Sequence, residues 1–336
     1  MKEALLYEKL PDKKVKCNLC NHYCLINDGQ TGVCIVRQNR EGVLYSLVWG
    51  LAIARHIDPI EKKPFFHFHP GSSSFSIATA GCNFRCLNCQ NSDISQLPRD
   101  GHKILGSKVA PEEVVKAALE NDCVSISYTY TEPTIFFEYA YDIARLAKEK
   151  GLKNNFVTNG YMSDKCLQMI APYLDAANVD VKGFSEELYR KVCGGKLAPI
   201  LDNLKLMKKL GIWVEVTTLI IPGLNDEAGE LKRLAEFVVT LGRETPWHVT
   251  AFHPDYKLPD VPPTPVETLQ MARRIGLEAG LRYVYSGNIP GEEGENTHCY
   301  NCHNLIIRRW GFEVTEYKIK NSCCNFCGSK IDGVGM

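Results

Sequence analysis

Short apolar runs alternate with amphipathic stretches through the middle of the chain. Ser74–Ala80, Cys123–Tyr128, Asn155–Thr158, Ala177–Val181, Trp213–Leu219, Trp247–Phe252 and Arg282–Tyr285 read as strands. Pro111–Asn121, Pro133–Lys150, Asp164–Tyr173, Ser185–Val192, Ile200–Leu210, Asp226–Leu241 and Val266–Ala279 carry helical periodicity. Pro111 falls in a first helical turn, and Gly151 stands where a C-cap belongs. Strict alternation of the two predicts a parallel sheet with helices outside.

Polar residues choose between an open doubly wound sheet and a barrel. Gly81 and Cys82 follow the first strand, Thr129 to Glu132 the second, and Thr158 to Gly160 the third. Asp180 and Lys182 end the fourth, Thr217 and Thr218 lie on the fifth, His253 ends the sixth, and Ser286 to Asn288 follow the last. A doubly wound sheet gathers its chemistry at one switch point. A β/α barrel spreads it round the C-terminal rim. The expected fold class is therefore α/β, a partial (β/α)6 barrel. Residues 71–290 would form it, with a Cys-box segment at 1–70 and a small metal-binding module at 291–336.

Hydrophobic residues are 45% and charged residues 23% of the 336, ordinary for a globular chain. Lys+Arg and Asp+Glu are both 39. That balance weakens the reading from a different class, a zinc-ribbon protein that binds nucleic acid. No apolar run is long enough to span a membrane and no signal peptide is evident, so the expected location is the cytoplasm. The 15 cysteines cluster. In a reducing compartment such clusters favour metal over disulfides. Cys123, Cys166 and Cys193 stand alone and read as small buried hydrophobes.

Cys82, Cys86 and Cys89 form a CX3CX2C triplet after the first strand. A cubane iron–sulfur cluster prefers four cysteines, so three leave one iron open, as a catalytic metal requires. The bland reading is zinc completed by a distant ligand. The triplet, placed after a barrel strand, resembles that of the radical S-adenosylmethionine (SAM) superfamily, and most of all the pyruvate formate-lyase activating enzyme group. Cys89-Gln90-Asn91, Thr131-Glu132-Pro133-Thr134, Thr158-Asn159-Gly160, Asp180-Val181-Lys182 and Ile221-Pro222-Gly223-Leu224-Asn225-Asp226 resemble successive motifs of that group. The resemblance implies a [4Fe–4S] cluster, SAM, a protein or peptide substrate that receives a glycyl radical, and a low-potential donor such as ferredoxin or flavodoxin. The alternative is radical modification of another peptide or a small molecule.

The expected cofactor contacts are Thr131, Glu132, Thr158, Asn159, Asp180, Lys182, Thr217 and His253. Glu132 would take the methionine ammonium, Lys182 the carboxylate, and His253 the nucleoside. Their bland readings are a helix-terminal carboxylate, an Asp180–Lys182 ion pair and a plain histidine. Three positions depart from the group's pattern: Asn88 replaces an aromatic residue, Tyr130 and Thr131 replace a double glycine, and Val157 replaces an acid. A narrower resemblance, to AmmeMemoRadiSam radical enzymes, rests on the N-terminal cysteine box, Asp58–Pro64, His67–Gly71 and the Cys-rich tail. It implies a Memo-like protein as a partner.

Cys299, Cys302, Cys324 and Cys327 make two CXXC knuckles 21 residues apart, the spacing of a zinc ribbon. Rubredoxin-type iron is the rival, and Cys323 is a spare. Cys17, Cys20, Cys24 and Cys34 suggest a closed four-thiolate site for zinc. A second iron–sulfur cluster, a point where electrons enter, is the alternative. Both boxes also fit plain structural caps.

Overall fold

The computed structural model describes residues 1–289 and 293–336, so the expected boundary at 290/291 lies outside the described residues. Eight strands form the central sheet: β1 (Ala54–Pro59), β2 (Ser73–Ala78), β3 (Ser125–Tyr128), β4 (Lys153–Thr158), β5 (Ala176–Asp180), β6 (Trp213–Ile220), β7 (Trp247–Ala251) and β8 (Val284–Gly287). They lie side by side in chain order. β2 to β8 are parallel and β1 joins β2 antiparallel. One helix covers each parallel crossover: α1 (Pro111–Glu120), α2 (Phe137–Glu149), α3 (Asp164–Ile170), α4 (Ala198–Lys209), α5 (Ala228–Leu241) and α6 (Val266–Ala279). A sheet that never reverses its winding has no switch point, and β1 and β8 remain unpaired edges of one sheet. This is the open barrel expected from the rim residues.

The inner strands are buried on both faces, as helices outside and a filled interior require, and polar members such as Ser125, Ser127 and Asn178 are buried with them. Two expected helices differ locally. Glu132 caps a short 3-10 turn at Pro133–Phe136 before α2 begins. Ser185–Val192 becomes one helical turn, Glu186–Leu188, then a π-turn over Tyr189–Cys193. No helix among the described residues is long and apolar enough to cross a membrane.

β1 had no signature in the sequence because most of its residues are exposed and it has no apolar alternation. It belongs to the segment expected to be a separate N-terminal unit, and it extends the barrel's sheet instead. The chain then runs under the barrel and plugs its floor. The Phe66 and His67 amides donate to Glu215 at 3.0 and 2.9 Å, and His248 Nε2 lies 2.7 Å from the same buried carboxylate.

Both terminal modules are tied to the barrel by buried ions. Arg37 makes a two-armed pair with Glu138 of α2, at 2.8 and 2.9 Å, with neither side chain more than 2% exposed. Removing one partner of such a pair costs about 3–5 kcal/mol. At the other end, β9 (Leu305–Trp310) and β10 (Glu313–Tyr317) form the expected hairpin. Arg309 reaches from β9 into the plug, donates to the Phe66 carbonyl at 3.0 Å and stacks on the Phe66 ring.

Candidate active site

The loop that leaves β2 carries the triplet to the C-terminal rim. Its course is fixed from below by the π-turn: Arg85 N–H donates to the Cys193 carbonyl at 2.8 Å and Leu87 N–H to Val192 at 3.1 Å. Phe84 is buried against Tyr161 and lies so close to Gly195 that a Cβ there would be 2.4 Å from its ring. Only glycine admits the loop at this point. Gly195→Leu is expected to leave a folded protein whose iron content after reconstitution falls severalfold. Wild-type iron loading in that variant would refute the packing argument.

Cys82, Cys86 and Cys89 all line one open cavity of about 390 Å³. Burial, with Glu132, Cys86 and Cys89 nearby, pushes the Cys82 thiol well up. Burial pushes the Cys89 thiol up too, while Cys193 pulls Cys86 down, and a cation in the cavity would favour thiolate at all three. Donors suited to thiolates are in place. Phe84 N–H points at Cys82 Sγ at 3.3 Å, and the Ser95 hydroxyl is 3.1 Å from Cys89 Sγ. An electron-poor iron cluster with one open iron fits this donor set and this open cavity.

Seven of the eight expected cofactor contacts line the same cavity: Thr131, Glu132, Thr158, Asn159, Asp180, Lys182 and Thr217. His253 does not. It is exposed, with Nε2 3.3 Å from the Asn288 carbonyl, and Asn288 lines the wall in its place. Asp180 ends β5 and Lys182 lies two residues beyond it, off the strand, where the two side chains pair at 2.9 Å. Burial alone would push the Lys182 ammonium down, but Asp180, Cys86 and Cys193 hold it well up. Asn225 of the loop after β6 clamps the strand ends, donating to the Lys182 carbonyl at 2.8 Å.

Glu132 is 1% exposed and serves as a hub. Its Oε1 accepts from Thr134 N–H, the Thr134 hydroxyl and the Thr158 hydroxyl, and its Oε2 from Asn159 N–H at 2.8 Å. Glu132 thus caps the turn after β3 and also faces the cavity.

Tyr130 stands where the resembling group has glycine, and it adopts glycine's conformation, φ +62°. A brace holds it there. Its hydroxyl donates to Asp58, which also accepts from Lys62 at 2.9 Å and Lys63 at 2.7 Å, and Lys63 lies 4.2 Å from the ring centre. Burial pushes the Lys63 ammonium down to about 8, against the pull of Asp58. Lys62, Lys63 and Tyr130 all reach the cavity wall. The sequence signal for this was the Asp58–Pro64 segment, whose role could not be read without the fold. Lys63→Met is expected to destabilise the fold by roughly 1.5–3 kcal/mol, since Lys62 and Tyr130 still bond Asp58. Urea unfolding reads it, and an unchanged midpoint would contradict the brace.

Cys123, Cys166 and Cys193 are all buried core thiols, but Cys193 also lines the active cavity beside Cys86. No spacing in the sequence marked it, because the π-turn that delivers it is set by tertiary packing.

The C-terminal knuckles converge. Their four ligand sulfurs lie within 4.8 Å of one another, the one such group among the described residues. The Cys299–Cys327 and Cys302–Cys324 separations are both 3.7 Å. Tetrahedral geometry with 2.3 Å metal–sulfur bonds requires about 3.8 Å. Cys323 stands outside the set. The N-terminal cysteines line a small pocket of their own.

An uncharacterized protein of Methanocaldococcus jannaschii is 50% identical over 335 residues, 99% of each chain. The pyruvate formate-lyase-activating enzyme of Clostridium pasteurianum is 24% identical over 219 residues, 60% of this chain and 87% of that enzyme. The fold is similar to that of a radical SAM methyltransferase from Sphaerobacter thermophilus, with TM-score 0.51 and 15% identity over 66% of this chain and 67% of that one. Residues 76–238 match the Radical SAM superfamily. That match begins in the strand that feeds the cysteine loop and ends in α5, so it takes in β2 to β6 and the triplet on their rim, and residues 76–238 form a radical SAM domain.

Proposed function

We propose that the protein cleaves SAM reductively and uses the resulting radical to take a hydrogen atom from a glycine of a partner protein. The observation that carries this is the convergence of three cysteines, Glu132 and the Asp180–Lys182 pair on one cavity. The likeness to a pyruvate formate-lyase-activating enzyme over most of that enzyme's length supports the glycine as the target. When bound, the cluster supplies the electron that splits the sulfonium and yields a 5′-deoxyadenosyl radical.

The chain's own residues bind and orient. Lys182 donates to the methionine carboxylate while Asp180 holds its ammonium in place. Glu132 Oε2, with one acceptor bond used among the described residues, offers its remaining capacity to the methionine ammonium. Each such charge-assisted bond contributes roughly 1.5–3 kcal/mol. The Phe66–His67 plug closes the floor to water. The C-terminal sulfurs hold zinc, whose filled shell suits four thiolates at tetrahedral spacing.

Lys182→Ala is expected to keep the cluster, since no thiol changes, and to weaken SAM binding by about tenfold or more. Equal affinity in a fully loaded variant would remove Lys182 from the site. The glycine step is read with a co-purified partner carrying α-deuterated glycine. Deuterium in 5′-deoxyadenosine supports the reading, and a product free of label from a partner that is nonetheless modified contradicts it.

A further inference from the structure

We propose that Cys17, Cys20, Cys24 and Cys34 hold one tetrathiolate ion of the zinc class, and that this ion braces the back of the catalytic cysteine loop. The inference stands apart from the proposed reaction and rests on the N-terminal module alone.

All four cysteines line one pocket, in which the remaining void is about 10 Å³. That is the volume of one water-sized probe. It suits a single ion and leaves no room for a cubane. The sulfurs are less closely gathered than the C-terminal set, and an ion would draw them in.

The local backbone already has the form of a metal knuckle. In the C-terminal module, Cys302 is followed by His303 at φ +59°, and the Asn304 side-chain amide donates to the Cys302 sulfur at 3.3 Å. In the N-terminal module, Cys34 is likewise followed by Ile35 at φ +65°. A β-branched residue in the left-handed region costs on the order of 1–3 kcal/mol and persists where the surroundings over-determine it.

A second, independent feature points to anionic sulfur. Arg37 is 1% exposed and lines this pocket. Its two terminal nitrogens are taken by Glu138, but its Nε is buried with no hydrogen-bond partner among the described residues. A buried donor left unpaired is costly. A tetrathiolate ion carries net negative charge and gives that N–H an acceptor.

The site touches the catalytic loop twice. A Cβ at Gly81 would lie 2.8 Å from Val36, and the Cys34 carbonyl is 3.5 Å from the same point. His22 Nε2 lies 2.8 Å from the carbonyl of Asn83, between Cys82 and Cys86, and Asn83 itself lines the N-terminal pocket. An ion that fixes Cys20 and Cys34 thereby fixes the supports of Gly81 and Asn83.

The test counts metal in the full chain. Wild-type protein purified without added metal is assayed for zinc, iron and sulfide, and compared with Cys20→Ser/Cys34→Ser and with Cys299→Ser/Cys302→Ser. The expected zinc is two per chain in the wild type and one in each variant. Hydrogen exchange of residues 81–91 should rise in the N-terminal variant and stay unchanged in the C-terminal one. Wild type with a single zinc that the C-terminal variant loses would overturn the proposal. So would iron and sulfide beyond one cubane per chain, lost with Cys20 and Cys34. If the N-terminal variant fails to fold, cobalt substitution of the wild type decides: two equivalents with tetrahedral thiolate spectra support the site, and one refutes it.

Discussion

Alanine at Cys82, Cys86 and Cys89 together is expected to give a folded, colourless protein that forms no 5′-deoxyadenosine. The fold should survive because the loop is held by its backbone, through the amides of Arg85 and Leu87 on the π-turn, and by Asn83, whose side chain accepts from Asn159 at 2.8 Å. The chemistry should not survive. The cluster has three protein ligands on one loop, and no other thiol stands on that loop. Cys193 is the nearest substitute, but it comes from the π-turn and lies beside Cys86. Residues that act as a unit are far from additive, so each single replacement should cost nearly as much as all three. Iron analysis and product chromatography read the result. A triple variant with wild-type iron and product would show that the cluster sits elsewhere.

The second large effect concerns the C-terminal module. Its buried apolar cluster consists of Cys299, Ile306, Ile307, Ile319, Cys324 and Ile331. Two of these are proposed metal ligands, so the core of the segment of about 38 residues is very small. Chains below about 40 residues rarely fold unaided, while structural zinc supplies roughly 10–16 kcal/mol. Serine at Cys299 and Cys302 should therefore unfold residues from about 297 onward and release Arg309 from Phe66 and Glu61. Limited proteolysis should then trim the tail and leave the barrel whole. A tail that resists proteolysis without its metal would mean that docking on the plug suffices to fold it.

The barrel was legible because short strand-forming runs alternate with stretches of helical period. The rim was legible because chemistry-bearing residues recurred at strand ends, and seven of the eight expected cofactor contacts, all but His253, reach the cavity. What escaped depends on contacts between distant segments. The edge strand Ala54–Pro59 is polar and solvent-facing, so only its pairing with Ser73–Ala78 makes it a strand. Tyr130 departs from the double glycine of the resembling group. It is a braced position, held by Asp58 and Lys63 from the segment that adds that edge strand. Cys193 reaches Cys86 only because Gly194 and Gly195 let the cysteine loop lie down on the π-turn.

The central claim is tested most directly by one anaerobic measurement. Wild-type protein with a verified full cluster is reduced, mixed with SAM, and its products are separated. The account predicts 5′-deoxyadenosine and methionine in equal amounts, absent without reductant. A fully loaded, reduced protein that binds SAM and yields neither product would contradict it.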